Sequence, residues 1–97
     1  MMFALICTDK QGSLELRMRT RPAHLEYLRQ NAAGLVSAGP RLDPDGNPCG
    51  SVFILDMPER VAAETFAAND PYEIAGLFSH SELTGYRSVF KDGAEVG

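Results

Sequence analysis

Two side chains suit proton transfer by type: a histidine in Arg21-Pro22-Ala23-His24-Leu25-Glu26, and an aspartate in Asn69-Asp70-Pro71-Tyr72. Imidazole changes charge near neutral pH, and a carboxylate beside it fixes its tautomer and stabilises its cation. Such a pair could take a proton from a carbon acid or a phenol and return it elsewhere. Ser51 lacks the Gly-x-Ser-x-Gly setting of an activated serine, yet its hydroxyl and backbone N–H could orient a ligand. Tyr27 and Tyr72 could line a pocket or pack in the core, and His80 reads as a surface residue at a strand start. The short basic cluster Arg17, Arg19 and Arg21 reads mainly as a solvated helix entry. Its alternative role is to anchor an anionic ligand, with Arg21 as the candidate contact. Neither a Walker nor a Rossmann glycine spacing is present, and no cluster of metal ligands, so neither cofactor nor metal is expected.

These groups work together only if the chain brings them together. Residues 2–8 are an apolar run ended by Asp9-Lys10-Gln11-Gly12, a buried strand and its turn. After a connector of mixed polarity over 13–19, Thr20 can cap a helix that begins at Arg21. Leu25, Leu28, Ala32 and Leu35 repeat at helical spacing, and Gly34 is the stop. A second strand over 35–42 is shortened or displaced to an edge by Gly39-Pro40, since proline cannot donate to a sheet ladder. Dense turn chemistry over 43–48 leads into a third strand over 50–57. Pro58 opens a second helix whose inward face reads as Val61, Ala62, Thr65, Phe66 and Asn69, ended by Asp70-Pro71. Residues 71–78 allow a further helical turn, 79–91 form the last strand, and 92–97 read as a loose tail.

The order is β-α-β-β-α-β, the α+β ferredoxin-like pattern with a four-stranded antiparallel sheet. Tracing strand directions places His24, the hairpin over 43–50, Ser51, Asp70 and Tyr72 at one edge, with His80 nearby. Alternation along the first and third strands is apolar on both faces, which marks strands buried on both sides. The helices cover one face; a second copy of the chain is expected on the other, in a face-to-face homodimer of the dimeric α/β barrel type.

Ninety-seven residues make one domain. A net charge of −4 argues against nucleic acid as a partner. No apolar run reaches the roughly 20 residues of a membrane span, and the N-terminus lacks signal-peptide features. Two cysteines, Cys7 and Cys49, are too few for a disulfide scaffold and read as reduced thiols of a cytoplasmic protein.

The chain resembles the YCII-related (YciI-like) domain from end to end. The matching stretches are Arg-Pro-Ala-His-Leu-Glu-Tyr-Leu at 21–28, Ala-Gly-Pro at 38–40, Asp-Gly-Asn-Pro-Cys-Gly-Ser at 45–51, Ala-Asn-Asp-Pro-Tyr at 68–72 and Ala-Gly-Leu-Phe at 75–78. The resemblance implies a ferredoxin-like subunit of a dimeric α/β barrel, similar to the muconolactone-isomerase group. It also implies an active site on a histidine and an aspartate, which fall at His24 and Asp70, with Ser51 at the serine that begins the third strand. The family's main enzymatic example is a dehydrochlorinase of hydroxylated aromatics. Gly85-Tyr86-Arg87 departs from the family, standing where a tryptophan-containing segment is common. The expected function is therefore a small cofactor-independent enzyme doing isomerisation or elimination on an anionic or hydroxylated cyclic compound. The alternatives are a non-catalytic ligand-binding domain and a structural dimerisation module.

Overall fold

The computed structural model describes all 97 residues. Its elements are β1 (Met2–Asp9), α1 (Leu14–Gln30), a 3-10 turn (Ala32–Gly34), β2 (Leu35–Leu42), β3 (Pro48–Asp56), α2 (Arg60–Asn69), α3 (Pro71–Ile74), β4 (Phe78–Tyr86), β5 (Phe90–Lys91) and β6 (Ala94–Glu95). Strands β1 to β4 form one antiparallel sheet in the order β2-β3-β1-β4. This is the ferredoxin-like arrangement, with β2 and its Pro40 on an edge.

Register decides which side chains meet the helices. Phe3, Leu5 and Cys7 pair directly with Leu55, Phe53 and Ser51, so all six point to one face. Phe3, Leu5, Phe53 and Leu55 are buried there with Ala63 and Phe66 of α2. Each large apolar side chain removed from water contributes on the order of 1.5–3 kcal/mol. The opposite face carries Ala4, Ile6, Val52 and Ile54 at its centre, and Ile6 remains 39% exposed.

Four expectations are corrected. Helix α1 starts at Leu14, seven residues before Arg21, and makes the 13–19 connector helical. Leu, Glu, Arg and Met are good helix formers, and the segment looked irregular because its inward position is an arginine. His24 is consequently the eleventh residue of α1, and Pro22 lies inside the helix on an exposed position, where solvent can satisfy the carbonyl it leaves unpaired.

The buried face of α2 is Ala63, Phe66 and Ala67, continuing to Asp70, while Val61 is exposed. Alanines and valine surround this helix, so periodicity alone could not select a face; the fully buried Ala63 permits close approach to the sheet. Strand β4 ends at Tyr86, not at Lys91. Residues 92–97 are not a loose tail throughout, because Asp92 and Gly93 adopt positive φ and form the two-residue turn of a β5–β6 hairpin.

Candidate active site

The site is built by the inward face of α1. Arg17, Arg21, His24 and Leu28 follow one another at helical spacings of four, three and four, and so line one stripe. Together with Ser51, Phe53 and Tyr72, they line a cavity of about 190 Å3 between α1 and the β2–β3 edge. For scale, an apolar cavity of about 150 Å3 accommodates benzene. The cavity suits one substituted ring.

Asp70 and Tyr72 reach this face through a compact device. Asp70 caps α3, Pro71 takes the first helical position, and Asp70 Oδ1 accepts the Tyr72 backbone N–H at 3.0 Å. The same oxygen lies 2.7 Å from His24 Nδ1, with Asp70 only 1% exposed. A carboxylate accepts and does not donate, so Nδ1 carries the proton and Nε2 is left to face chemistry. No protein group bonds Nε2. The imidazole is held from the other sides by Tyr72, stacked at 3.9 Å, and by Phe53, edge-on at 6.1 Å.

Arg17 departs from the expectation of an exposed basic cluster. It is 4% exposed, not a solvated helix entry. Its Nε and Nη2 donate to the two oxygens of Asp9 at 2.8 and 3.1 Å. Nη2 also donates to the Gly50 carbonyl at 2.7 Å and to Ser51 Oγ at 2.8 Å. The guanidinium carbon sits 4.5 Å from the centre of the Tyr72 ring. The signal was available as the seven-residue, two-turn spacing between Arg17 and His24. It carried weight only once α1 was known to reach back to Leu14.

The remaining candidates divide. Ser51 and Tyr72 are buried at the cavity, and Arg21 is an exposed residue lining it. Tyr27 does not line it; its hydroxyl donates to the Phe66 carbonyl at 2.9 Å and its ring stacks on Phe66, which fastens α1 to α2. His80 pairs with Thr8 and projects to the other face of the sheet, exposed and away from the pocket. Both cysteines are free thiols. Burial raises the Tyr72 hydroxyl above its ordinary range, opposed by the Arg17 charge. Burial also pushes the Cys7 thiol up to about 11.

A larger cavity of about 270 Å3 lies between α2 and β4 on the far side of Asp70, without His24 among its walls. The smaller one holds the convergent polar groups and is the better candidate site.

Residues 1–87 match the family model of the YCII-related domain. The chain belongs to this family. Among its YCII-related relatives is the protein YciI of Escherichia coli O6:H1, 34% identical over 93% of this chain and 100% of that protein. An uncharacterized protein of Haemophilus influenzae is 33% identical over 93% of this chain and the whole of the relative. Among solved structures, the chain is similar to a 5-chloro-2-hydroxyhydroquinone dehydrochlorinase from Burkholderia phenoliruptrix AC1100, determined in complex with 2,5-dihydroxybenzoquinone. That match has a TM-score of 0.83 and 30% identity, covering 90% of this chain and 94% of the other. A crystal structure of an antibiotic biosynthesis monooxygenase matches with a TM-score of 0.58 at 16% identity, covering 92% of this chain and 99% of that one, a relation of fold alone. No helix of this YCII-related chain is long and apolar enough to cross a membrane.

Proposed function

We propose that this protein is a small-molecule enzyme in which His24 is the general acid and base and Asp70 orients it. The observation that carries the reading is the 2.7 Å contact from Nδ1 to a buried carboxylate, which leaves Nε2 unpaired on a histidine lining a ring-sized cavity. Ser51, Tyr72 and Arg21 are the proposed ligand contacts. Similarity to a dehydrochlorinase crystallised with a hydroxylated quinone supports a hydroxylated cyclic substrate.

In an isomerisation, Nε2 takes a proton from one ring position and returns it at another. In an elimination, Nε2 takes the proton, the electron pair forms the new π bond, and the leaving group departs with its own bonding pair. Both need one base and no redox partner.

The second part of the proposal is a homodimer. Ile6, Val52 and Ile54 give the open sheet face an apolar centre, and a second copy packed against it would bury them.

The test is incubation with 5-chloro-2-hydroxyhydroquinone and related hydroxylated rings, following chloride release and proton exchange. Release or exchange that disappears in His24→Asn supports the reading. Thermal stabilisation by these compounds with neither would make the protein a binding module instead.

A further inference from the structure

We propose that the cavity of about 270 Å3 between α2 and β4 is a second ligand site, which takes a small protonated amine with an apolar body and binds its ammonium at Asp70 Oδ2.

Asp70 divides its carboxylate between two sides of the molecule. Oδ1 is engaged by His24 Nδ1 and by the Tyr72 backbone N–H. Oδ2 accepts no hydrogen bond, and it is the one buried side-chain polar atom left so. Asp70 lines the α2–β4 cavity and not the cavity that holds His24, which puts its unengaged oxygen on the α2–β4 side. A buried acceptor without a donor is destabilising, and a donor brought in through the cavity removes that cost. Oδ2 is shielded from bulk water, so the donor must be carried to the cavity floor by a compact body behind it.

The remaining walls fit such a body. Leu5 pairs with Leu83 and Cys7 with Ser81 across β1 and β4, so all four turn toward the helices. Opposite them stand Ala67 and Ala68 of α2, whose short side chains leave the gap open. A cavity of about 150 Å3 accommodates benzene, so this one has room for a ring with a short polar arm.

The charge is one-sided. Arg60 lines the cavity but is already engaged, with Nε 3.4 Å from Glu64 and Nη2 donating to the Leu83 carbonyl at 3.0 Å. Cys7 keeps its proton at neutral pH, because burial pushes its thiol up to about 11. Two carboxylates are left without a cation, Asp70 in the floor and Glu73 at the exposed rim. They repel an anion and attract a cation, and an ammonium supplies the N–H donors that an acceptor-only oxygen lacks.

One carboxylate then joins the two cavities. An ammonium at Oδ2 offsets part of the charge that holds the Nδ1 proton of His24, so the bound amine loosens that hydrogen bond without entering the other cavity.

Calorimetry at pH 7 with benzylamine and benzyl alcohol, similar in size and different in charge, tests the site. The wild-type protein should bind the amine at least about tenfold more tightly than the alcohol. In Asp70→Asn the preference should fall below about threefold. An unchanged preference in a folded Asp70→Asn protein overturns the proposal, as does a wild-type protein that shows none. Ala67→Leu fills the gap and leaves every charge in place, and it should abolish amine binding. Binding that persists in Ala67→Leu puts the amine elsewhere and also overturns the proposal.

Should either variant fail to fold, magnetic resonance of the wild-type protein decides. Saturating benzylamine should displace the Asp70 carboxyl carbon-13 resonance and move the His24 Nδ1 proton to higher field. Stationary resonances overturn the site. None of these measurements uses turnover, so a failed amine site leaves the acid–base reading of His24 standing, and an inactive His24 leaves the amine site standing.

Discussion

The imidazole of His24 lies almost parallel to the phenol ring of Tyr72, with centroids 3.9 Å apart and planes inclined by 17°. The two rings are joined a second time, because Asp70 Oδ1 contacts His24 Nδ1 and also accepts the Tyr72 backbone N–H. One carboxylate oxygen thus sets both the in-plane direction of the imidazole and the turn carrying the ring that covers its face. Tyr72→Phe should keep the stack and the fold, whereas Tyr72→Ala should cost about 3–5 kcal/mol in chemical denaturation. Tyr72→Leu should retain most of the burial yet lose the stacking contribution, about 0.5–1.5 kcal/mol beyond area. A Tyr72→Leu protein with unaltered turnover would show that the stack does not orient His24.

Removing the proposed base should be more damaging to rate than to stability. We expect His24→Asn to lower kcat by about 10²- to 10⁴-fold, the usual worth of a positioned acid or base. Asp70→Asn should give a smaller loss with a near-normal melting temperature, since the amide oxygen can still accept the Tyr72 N–H. Nitrogen-15 spectra of the wild-type protein should find the neutral ring protonated at Nδ1. The opposite tautomer would remove Nε2 as the base.

Cys7 gives a prediction with a definite sign. Its thiol is raised from 9.0 to about 11, first by burial and next lowered by a hydrogen bond with Ser81. The folded protein holds this proton where the unfolded chain releases it. Its contribution is therefore fully present below about pH 9 and is lost as pH rises toward about 11. Cys7→Ala should flatten that alkaline decline in urea titrations. Burial also raises the hydroxyls of Tyr27 and Tyr72, so a residual decline of the same sign should remain. In the native protein at neutral pH, iodoacetamide should label the half-buried Cys49 and spare Cys7.

Gly50 supports the site from inside β3. A Cβ there would collide with the Cys7 carbonyl oxygen and crowd the Cys7 carbonyl carbon and the Arg41 side chain. Its own carbonyl accepts from Arg17 Nη2. Gly50→Ala should destabilise by about 1–3 kcal/mol, as expected of overpacking. Because the same backbone shift moves Arg17, ligand affinity should fall in the variant at temperatures where it remains folded.

The open face of the sheet is testable by charge. Val52→Arg places a cation at the centre of that face, beside Ile6. If two copies pack there, light scattering should change from a dimer mass to a monomer mass, and the helix-side cavity should still bind ligand. A dimer that persists in Val52→Arg would place the interface elsewhere.

The strand order, the edge position of β2, the hairpin over Asp43–Asn47 and the pairing of His24 with Asp70 were all legible in the sequence. They follow from local rules: alternation in strands, proline at an edge, turn residues at fixed offsets, and antiparallel directions that can be counted. The start of α1 was not, because the residue it turns inward is Arg17, and an arginine on an inward face breaks the apolar stripe by which helices are read. The face of α2 was hidden for the opposite reason, apolar residues surrounding most of it. Asp92-Gly93 held a hairpin signal that the long run of β4 obscured.

By itself, then, the sequence determined the topology and the two residues that meet as a histidine–aspartate pair, since both depend on residue type and chain direction. Tertiary structure alone decided that a helical arginine is buried, pinned by Asp9 and Ser51, and lines the same cavity as His24. The reason is physical: a charge is buried only where partners distant in the chain converge on it, and no local pattern records that convergence.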